Sequence, residues 1–207
     1  MKLIWHGHAC YTLDSLDGIV VFDPYEPGYV PGLTLPELSA DVILCSHYHR
    51  DHGCAEAVKQ LKRRTNLIIN DLPCCHDDKN GSLRGDNRIH MVDAEGKRIV
   101  HMGDLGHMLS EGQIEALGEV DVLIIPVGGF YTIDAATAFE LAEKIGAKIT
   151  IPMHYRGEGF GYDVISTVDE FTKLAQNVEY MGSSELSLDG ELSGRRTVVL
   201  KCPVKSR

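Results

Sequence analysis

Three histidines and one aspartate stand within six positions of this chain, directly after the apolar run at residues 42–45. A short apolar run of this kind is typical of a buried strand. Side chains at alternate positions of a strand point to one side, so His47 and His49 face the same way, while Asp51 and His52 lie past the strand end and can turn toward a second ion. This density of imidazoles and carboxylate predicts a site for two adjacent metal ions.

The composition indicates one globular domain that spans residues 1–207. The chain is 43% hydrophobic and 24% charged, which suffices for one substantial core. The formal net charge of −10, with a single basic block at residues 62–64, argues against nucleic acid as a partner. We expect a small-molecule substrate instead, and the sequence leaves a homo-oligomer open.

The N-terminus and the cysteines indicate the compartment. No signal core follows Met1, and no run approaches the roughly 18 apolar residues of a spanning helix. The six cysteines show no CxxC spacing, and a chain of this size needs no disulfides for stability. We therefore expect reduced thiols in a cytoplasmic protein that does not bind a membrane.

The hydrophobic pattern predicts an antiparallel opening of short strands, followed by alternating strands and helices. Asp134 is a suitable N-cap and Gly146 a suitable stop for one helix. The segments 25–36, 72–88 and 157–161 have the composition of loops. The predicted strands are residues 3–5, 11–13, 18–22, 41–45, 67–69, 89–92, 98–102, 122–126, 148–152 and 197–201, and the predicted helices are residues 53–64, 110–117, 134–145 and 166–176.

Four later residues share one context, because each is a histidine or aspartate just beyond a strand or in a polar loop. They are His76, Asp104, His107 and His154. Strand ends at one edge of a sheet sandwich converge, so these side chains can meet the segment 47–52. For His76 two alternatives stay open, since His90 or His101 could take its place.

The motif His47-x-His49-x-Asp51-His52, together with Asp104 after a glycine and the late His154, resembles the metallo-β-lactamase superfamily. This resemblance covers nearly the whole chain and implies an α/β (α+β) fold, the four-layer αββα sandwich. Five segments look like its lactonase-like branch of metal-dependent hydrolases, which is related to bacterial L-ascorbate-6-phosphate lactonase. They are residues 5–8, 21–24, 103–107, 126–134 and 152–155.

The resemblance implies a dinuclear centre with seven ligands. We expect two divalent ions, zinc first and manganese or iron as alternatives, because imidazole and carboxylate suit all three metals. One ion would take His47, His49 and His76, the other would take Asp51, His52 and His154, and Asp104 would bridge them.

Further roles follow from the chemistry of such a centre. Two divalent ions lower the pKa of a bound water to about 7, so a hydroxide held by both metals is the expected nucleophile. Asp51 would orient this hydroxide or accept its proton. Asp23 and His8 are expected behind the ligands, where they would orient metal-binding side chains. His107, and alternatively His8, is a candidate for protonating the leaving group.

These features predict a metal-dependent hydrolase that cleaves an ester or lactone bond of a small molecule. A phosphodiester is the alternative bond, since two metals stabilise either a tetrahedral oxyanion or an in-line phosphoryl displacement. A diiron redox enzyme and a metal-binding sensor or scaffold without activity are further alternatives. The loops at residues 25–36 and 157–162 are expected to wall the substrate pocket.

Overall fold

Two β-sheets pack around a common hydrophobic core in the computed structural model, which describes residues 1–204 of the 207. The core joins Trp5 and Phe22 from early strands to Ile99, Ile124 and Ile151 from later ones, and each of these side chains is at most 1% exposed. The predicted α/β sandwich is confirmed, although its helices are short. The strands are β1 (Lys2–Trp5), β2 (Tyr11–Ser15), β3 (Gly18–Phe22), β4 (Leu38–Ala40), β5 (Val42–Leu44), β6 (Val58–Gln60), β7 (Ile68–Cys75), β8 (Asp86–Ala94), β9 (Lys97–His101), β10 (Val122–Pro126), β11 (Ile149–Met153), β12 (Val178–Tyr180), β13 (Glu185–Ser187) and β14 (Arg196–Val199), and the helices are α1 (Glu111–Leu117), α2 (Ala135–Ile145) and α3 (Asp169–Thr172).

The first sheet has the strand order β13-β1-β2-β3-β5 and is antiparallel except at one edge. There β3 and β5 run parallel, with Val20 opposite Val42 and Phe22 opposite Leu44. Parallel strands end at the same edge of a sheet, so Asp23 and the segment after β5 emerge side by side. The amide of Asp23 donates to the carbonyl of Leu44 at 2.9 Å and fixes this junction.

The second sheet has the strand order β12-β14-β11-β10-β9-β8-β7, and its strands β9, β10, β11 and β14 are parallel. Both β7–β8 and β8–β9 are antiparallel pairs, so β7 points the same way as β9. Residues that follow β7, β9 and β11 therefore reach one edge of this sheet. They include His76, Asp104 and His154.

Helices α1 and α2 begin at side-chain caps, and both are confirmed within one residue of their predicted starts. The Ser110 hydroxyl accepts a hydrogen bond from the Gln113 amide in a capping box, and Asp134 accepts one from the Thr137 amide. Helix α2 ends at Gly146, whose φ of 71° lies in the left-handed region that glycine adopts without strain.

The helix predicted at residues 53–64 is wrong. This segment forms a 3₁₀ turn at Ala55–Ala57 and then β6, which pairs in parallel with β4. Of Ala57, Val58 and Leu61, the apolar residues on which the helix prediction rests, only Val58 is buried, so a helix here would have little to pack against the core. Pairing with β4 satisfies the backbone instead.

The loop predicted at residues 72–88 is confirmed at residues 76–85 but is shorter than predicted, because β7 extends to Cys75 and β8 begins at Asp86. Strand β7 lies at the sheet edge, has one buried side chain among its eight residues and contains Pro73, so it lacks the apolar pattern of a central strand. The helix predicted at residues 166–176 shortens to α3, and β12 and β13 lie outside the predicted strands.

The six cysteines are unbridged, as expected for reduced thiols. Burial, reinforced by Asp23, raises the pKa of Cys45 to about 12, and burial also raises the pKa of Cys74 to about 12. These two thiols are therefore not nucleophiles at neutral pH. From residue 1 to residue 204, no helix has the length and apolar character needed to cross a bilayer.

Candidate metal centre

The seven predicted ligands lie at one end of the sandwich, in loops that follow strands of both sheets. The segment 46–52 follows β5 of the first sheet, and the other loops follow β7, β9 and β11 of the second. The structure brings all seven side chains together and adds His8 to them. Their ligand atoms form groups within 4.8 Å of one another: His47, His49 and His76; His8, Asp51, His52 and His154; and His47, His52 and Asp104.

Asp104 lies at the centre of this cluster. Its Oδ2 is 3.1 Å from Nε2 of His76 and 3.2 Å from Nε2 of His154. Its Oδ1 is 3.2 Å from Nε2 of His52, and Nε2 of His47 lies 4.0 Å from Oδ2. One carboxylate thus faces imidazoles of both predicted ion sites, as a bridging ligand would.

His47, His49 and His76 form the first group. Their ring centroids are 4.6 to 5.2 Å apart, with His47 and His76 buried and His49 exposed at the rim. Burial, reinforced by His52, lowers the pKa of His47 to about 3, and burial also lowers the pKa of His49. Both imidazoles are therefore neutral at pH 7, the form that binds a metal.

His8 lies inside the second group, not behind it as predicted. Its Nε2 is 3.4 Å from Oδ2 of Asp51, and its ring centroid is 4.0 Å from that of His154. Burial, with His154 beside it, lowers the pKa of His8 to about 4 despite the nearby Asp51. His8 and His154 have φ values of 54° and 55°, which cost energy in a residue with a Cβ and are typical of functional sites.

Five histidines of the cluster have buried ring nitrogens without a hydrogen-bond partner in the described part of the chain. An unpartnered buried polar group costs about 1–3 kcal/mol, so folded proteins rarely collect several in one place. Divalent cations would satisfy the unpartnered nitrogens that face Asp104, the Nε2 atoms of His47, His52 and His154, and a donor set of imidazoles and carboxylates suits zinc, manganese and iron. The residues present therefore fit a metal centre. The five histidines with unpartnered buried nitrogens are His8, His47, His52, His76 and His154.

Asp23 lies behind the cluster, where the sequence predicted it. Its fully buried carboxylate accepts hydrogen bonds from the Ser46 amide and hydroxyl at 2.7 Å, and it lies 2.8 Å from Nδ1 of His52. This contact turns Nε2 of His52 toward Asp104. Burial alone lowers the pKa of His52, but the carboxylates of Asp104 and Asp23 raise it well above its ordinary value.

Sequence reasoning missed Asn87, which orients the backbone of the bridging candidate. The side-chain oxygen Oδ1 of Asn87 accepts a hydrogen bond from the Asp104 backbone amide at 2.9 Å. The side-chain nitrogen Nδ2 of Asn87 donates to the Met102 carbonyl at 2.9 Å. The two alternatives to His76 have other partners. His90 lies 2.7 Å from Asp71, and His101 bonds to the Ala9 carbonyl and the Gly103 amide.

The structure does not bring His107 into the cluster. Its Nδ1 donates to the Met108 carbonyl at 2.9 Å, and its Nε2 accepts from the Cys75 amide at 3.2 Å. Both ring nitrogens are engaged by the backbone, so neither is free to protonate a leaving group. This geometry corrects the predicted role, and it indicates that His107 fixes the start of the loop that carries His76.

A pocket of about 480 Å³ opens onto the cluster. The candidate ligands His49, Asp51, His76 and Asp104 line it, and Tyr29 and Tyr162 come from the two loops that the sequence predicted as walls. The hydroxyl of Tyr162 donates to Oδ2 of Asp51 at 3.3 Å. Four wall residues were not predicted: Tyr48, Arg50, Arg84 and Tyr131.

Two glycines let the ligand loops approach one another. A Cβ on Gly106 would overlap the backbone of His76 and Asp77, and a Cβ on Gly128 would overlap the carbonyl oxygen of His154. Each glycine therefore lies where the loop of one candidate ligand meets backbone of a neighbouring segment. This close approach requires the absence of a side chain.

Comparison with known proteins gives consistent matches. The family described as beta-lactamase superfamily domain matches residues 2–154. A metal-dependent hydrolase of Thermoplasma acidophilum is 31% identical, over 75% of this chain and 83% of the relative. A Thermotoga maritima structure, assigned to the Zn-dependent hydrolases of the metallo-β-lactamase superfamily, is 32% identical with a TM-score of 0.78, over 96% of this chain and 97% of its own. An isothiocyanate hydrolase from Delia radicum gut bacteria, 16% identical over 84% and 91% with a TM-score of 0.63, shares the fold alone.

Proposed function

The chain belongs to the metallo-β-lactamase superfamily and is a metal-dependent hydrolase, and we propose that it cleaves an ester or lactone bond of a small organic molecule. Four imidazoles converge on the carboxylate of Asp104, and this convergence carries the proposal. A purely structural cluster would pair its buried nitrogens with hydrogen-bond partners, whereas the Nε2 atoms of His47, His52 and His154 lack a partner among the described residues and lie beside a pocket.

Two divalent ions fit the donor groups, and zinc is our first choice. His47, His49 and His76 would hold one ion, Asp51, His52 and His154 the other, with Asp104 between them and His8 as an added donor at the second. When bound, such ions polarise the scissile carbonyl and lower the pKa of water to about 7. The carboxylates of Asp104 and Asp51 would offset part of their charge.

Asp51 has a second role in the proposal, which is to orient the attacking water. Its Oδ2 accepts from the Tyr162 hydroxyl and lies near Nε2 of His8, so two neighbours fix the carboxylate. Burial raises the pKa of Asp51, but His8 and His52 hold it well below its usual range. A carboxylate of low pKa is ionised at neutral pH and is a weak base, so Asp51 is better suited to accept a hydrogen bond from the water than to take its proton.

The volume of the pocket supports a small-molecule substrate, since ligand pockets commonly measure about 300–1,000 Å³. The choice of an ester or lactone over a phosphodiester is supported by the five segments that look like the lactonase-like branch. Zinc and manganese forms of such a centre would act on either bond.

Metal analysis and a substrate panel test the proposal. Protein loaded with zinc or manganese should hold close to two ions per chain by mass spectrometry, and it should hydrolyse simple lactones or p-nitrophenyl acetate faster than bis(p-nitrophenyl) phosphate. Turnover of the phosphodiester alone would make the bond assignment wrong. A chain that keeps two ions but hydrolyses none of these compounds, while binding a partner protein, would support the scaffold alternative.

A further inference from the structure

The two arginines that line the pocket differ in one respect. Arg50 is neutralised by Glu26, because its Nε and Nη2 bond to the two oxygens of that carboxylate at 2.5 and 2.7 Å. Among residues 1–204, by contrast, no Asp or Glu carboxylate lies within 4.0 Å of the Arg84 guanidinium. The half-buried Arg84 therefore presents an uncompensated positive charge to the pocket.

The Arg84 side chain is held in place without a counter-ion. Its Nη2 donates to the Phe130 carbonyl at 2.9 Å, and its guanidinium carbon lies 5.7 Å from the ring centroid of Tyr131. These contacts use one of its donors and leave the others available. A guanidinium fixed in this way binds an oxyanion with little loss of side-chain entropy.

The loop that carries Arg84 also carries His76, so the charge has a defined position relative to the candidate metal centre. The carboxylate of Asp77 accepts four backbone hydrogen bonds, from the amides of Lys79, Gly81, Leu83 and Arg84, at 2.7 to 2.9 Å. The His76 amide in turn donates to the Gly85 carbonyl at 3.0 Å. Arg84 is thus part of a rigid turn that starts at a candidate ligand.

We propose that Arg84 binds an oxyanion of the substrate, which is therefore a small organic acid whose scissile bond lies away from its charged group. This inference rests on the proposed hydrolase function. The four tyrosines of the pocket would contact the uncharged body of such a molecule. Arg50 is paired with Glu26, whereas Arg84 has no described carboxylate within 4.0 Å, so Arg84 is the pocket arginine suited to bind an anion.

A matched pair of esters tests this proposal on zinc-loaded protein. The acid 4-acetoxybenzoate carries its carboxylate across an aromatic ring from the ester, and 4-acetoxybenzamide has the same shape without the charge. A charge-assisted hydrogen bond contributes about 1.5–3 kcal/mol, so Arg84→Gln should raise KM for the acid about 10- to 100-fold, with kcat and the KM of the amide unchanged. Arg84→Lys should give a KM for the acid between those of the wild type and Arg84→Gln. Comparing 4-acetoxyphenyl phosphate with the acid tells which oxyanion the wild type prefers.

Arg64→Gln is the matched control, because Arg64 is an exposed arginine that lines neither this pocket nor the adjoining one beside His47 and His49. This variant should leave KM and kcat unchanged for both esters. If Arg84→Gln raised KM equally for the acid and the amide, or lowered kcat equally for both, Arg84 would only hold the Phe130 loop and the proposal would be overturned.

A binding measurement separates this proposal from the hydrolase assignment. Benzenesulfonate coordinates metals weakly, and calorimetry on the zinc-loaded protein should give a Kd that rises at least 10-fold in Arg84→Gln. If neither ester is hydrolysed but this difference is found, the bond assignment fails and the role of Arg84 holds. Equal benzenesulfonate binding by both proteins would overturn the role of Arg84, whatever the activity.

Discussion

At the scale of single residues, the two pocket carboxylates of the candidate centre have different surroundings. Asp104 is enclosed by imidazoles of both groups, whereas Asp51 lies at the pocket wall and accepts from a tyrosine. Burial raises the pKa of Asp104, but His154 and His52 hold it well below its usual range. Both carboxylates are ionised at neutral pH. Asp51 accepts a hydrogen bond from Tyr162, and this tyrosine also lines the pocket in which water and substrate would bind.

Asp51→Asn should lower kcat for ester or lactone hydrolysis by about 100-fold or more, the order of loss expected when the attacking water is no longer correctly positioned. The amide has the same shape but binds metal and orients water less well than a carboxylate. Steady-state kinetics on protein of verified metal content measures the effect, with circular dichroism as the control for folding. Wild-type turnover in this variant would contradict the role of Asp51.

His8→Gln should weaken the binding of one zinc ion about 10- to 100-fold, the loss typical when a group that supports a metal site is removed. Competition with a fluorescent chelator measures the affinities of both ions. His90→Gln is the control, because the His90 ring bonds to Asp71 and lies outside the groups of candidate ligands, and it should leave both affinities unchanged. Unchanged zinc binding with lower activity would mean that His8 acts on Asp51 and not on the ion.

At the scale of elements, the candidate centre depends on how closely its loops approach. Gly128→Ala should displace the backbone at His154 and cost about 1–3 kcal/mol of stability, the usual penalty for overpacking. Urea unfolding and metal titration should show both lower stability and weaker metal binding. Gly112→Ala, in α1 where a Cβ meets nothing within 4 Å, should be neutral or stabilising. Equal stability of the two variants would refute the close approach.

The elements that the sequence predicts correctly are those with a local signal. Helix α2 has an N-cap at Asp134 and a stop at Gly146, and β10 is a continuous apolar run. Strand β6 and the outer part of β7 have no such signal, because they exist through pairing with β4 and β8. Pairing between distant segments is a tertiary effect that a single sequence does not encode locally.

The candidate site likewise has features that the sequence predicts and features that it does not. The ligand types and their positions after strands predicted the convergence of all seven side chains, because strand ends share an edge of the sandwich. The position of His8 and the contact of Asn87 with Asp104 depend on packing between distant loops, which the spacing of residues does not give. His107 shows the converse, since a histidine three positions from a candidate ligand bonds to backbone instead.

At the scale of the whole molecule, metal removal should lower thermal stability. A ligand at about 100 times its Kd stabilises the folded state by about 2.7 kcal/mol, which corresponds to about 5–10 °C in Tm for a chain of this size. Scanning calorimetry before and after treatment with EDTA measures the shift, and added zinc should restore it. The same Tm in both forms would mean that the cluster holds no metal.

The origin of the ligand loops gives this centre a mechanical consequence. His8 and residues 47–52 follow strands of the first sheet, whereas His76, Asp104 and His154 follow strands of the second. Ions bound among them would cross-link the two sheets at this end of the sandwich. Slow amide exchange in β5 and β11 should then accelerate together when the ions are removed, although the two strands belong to different sheets.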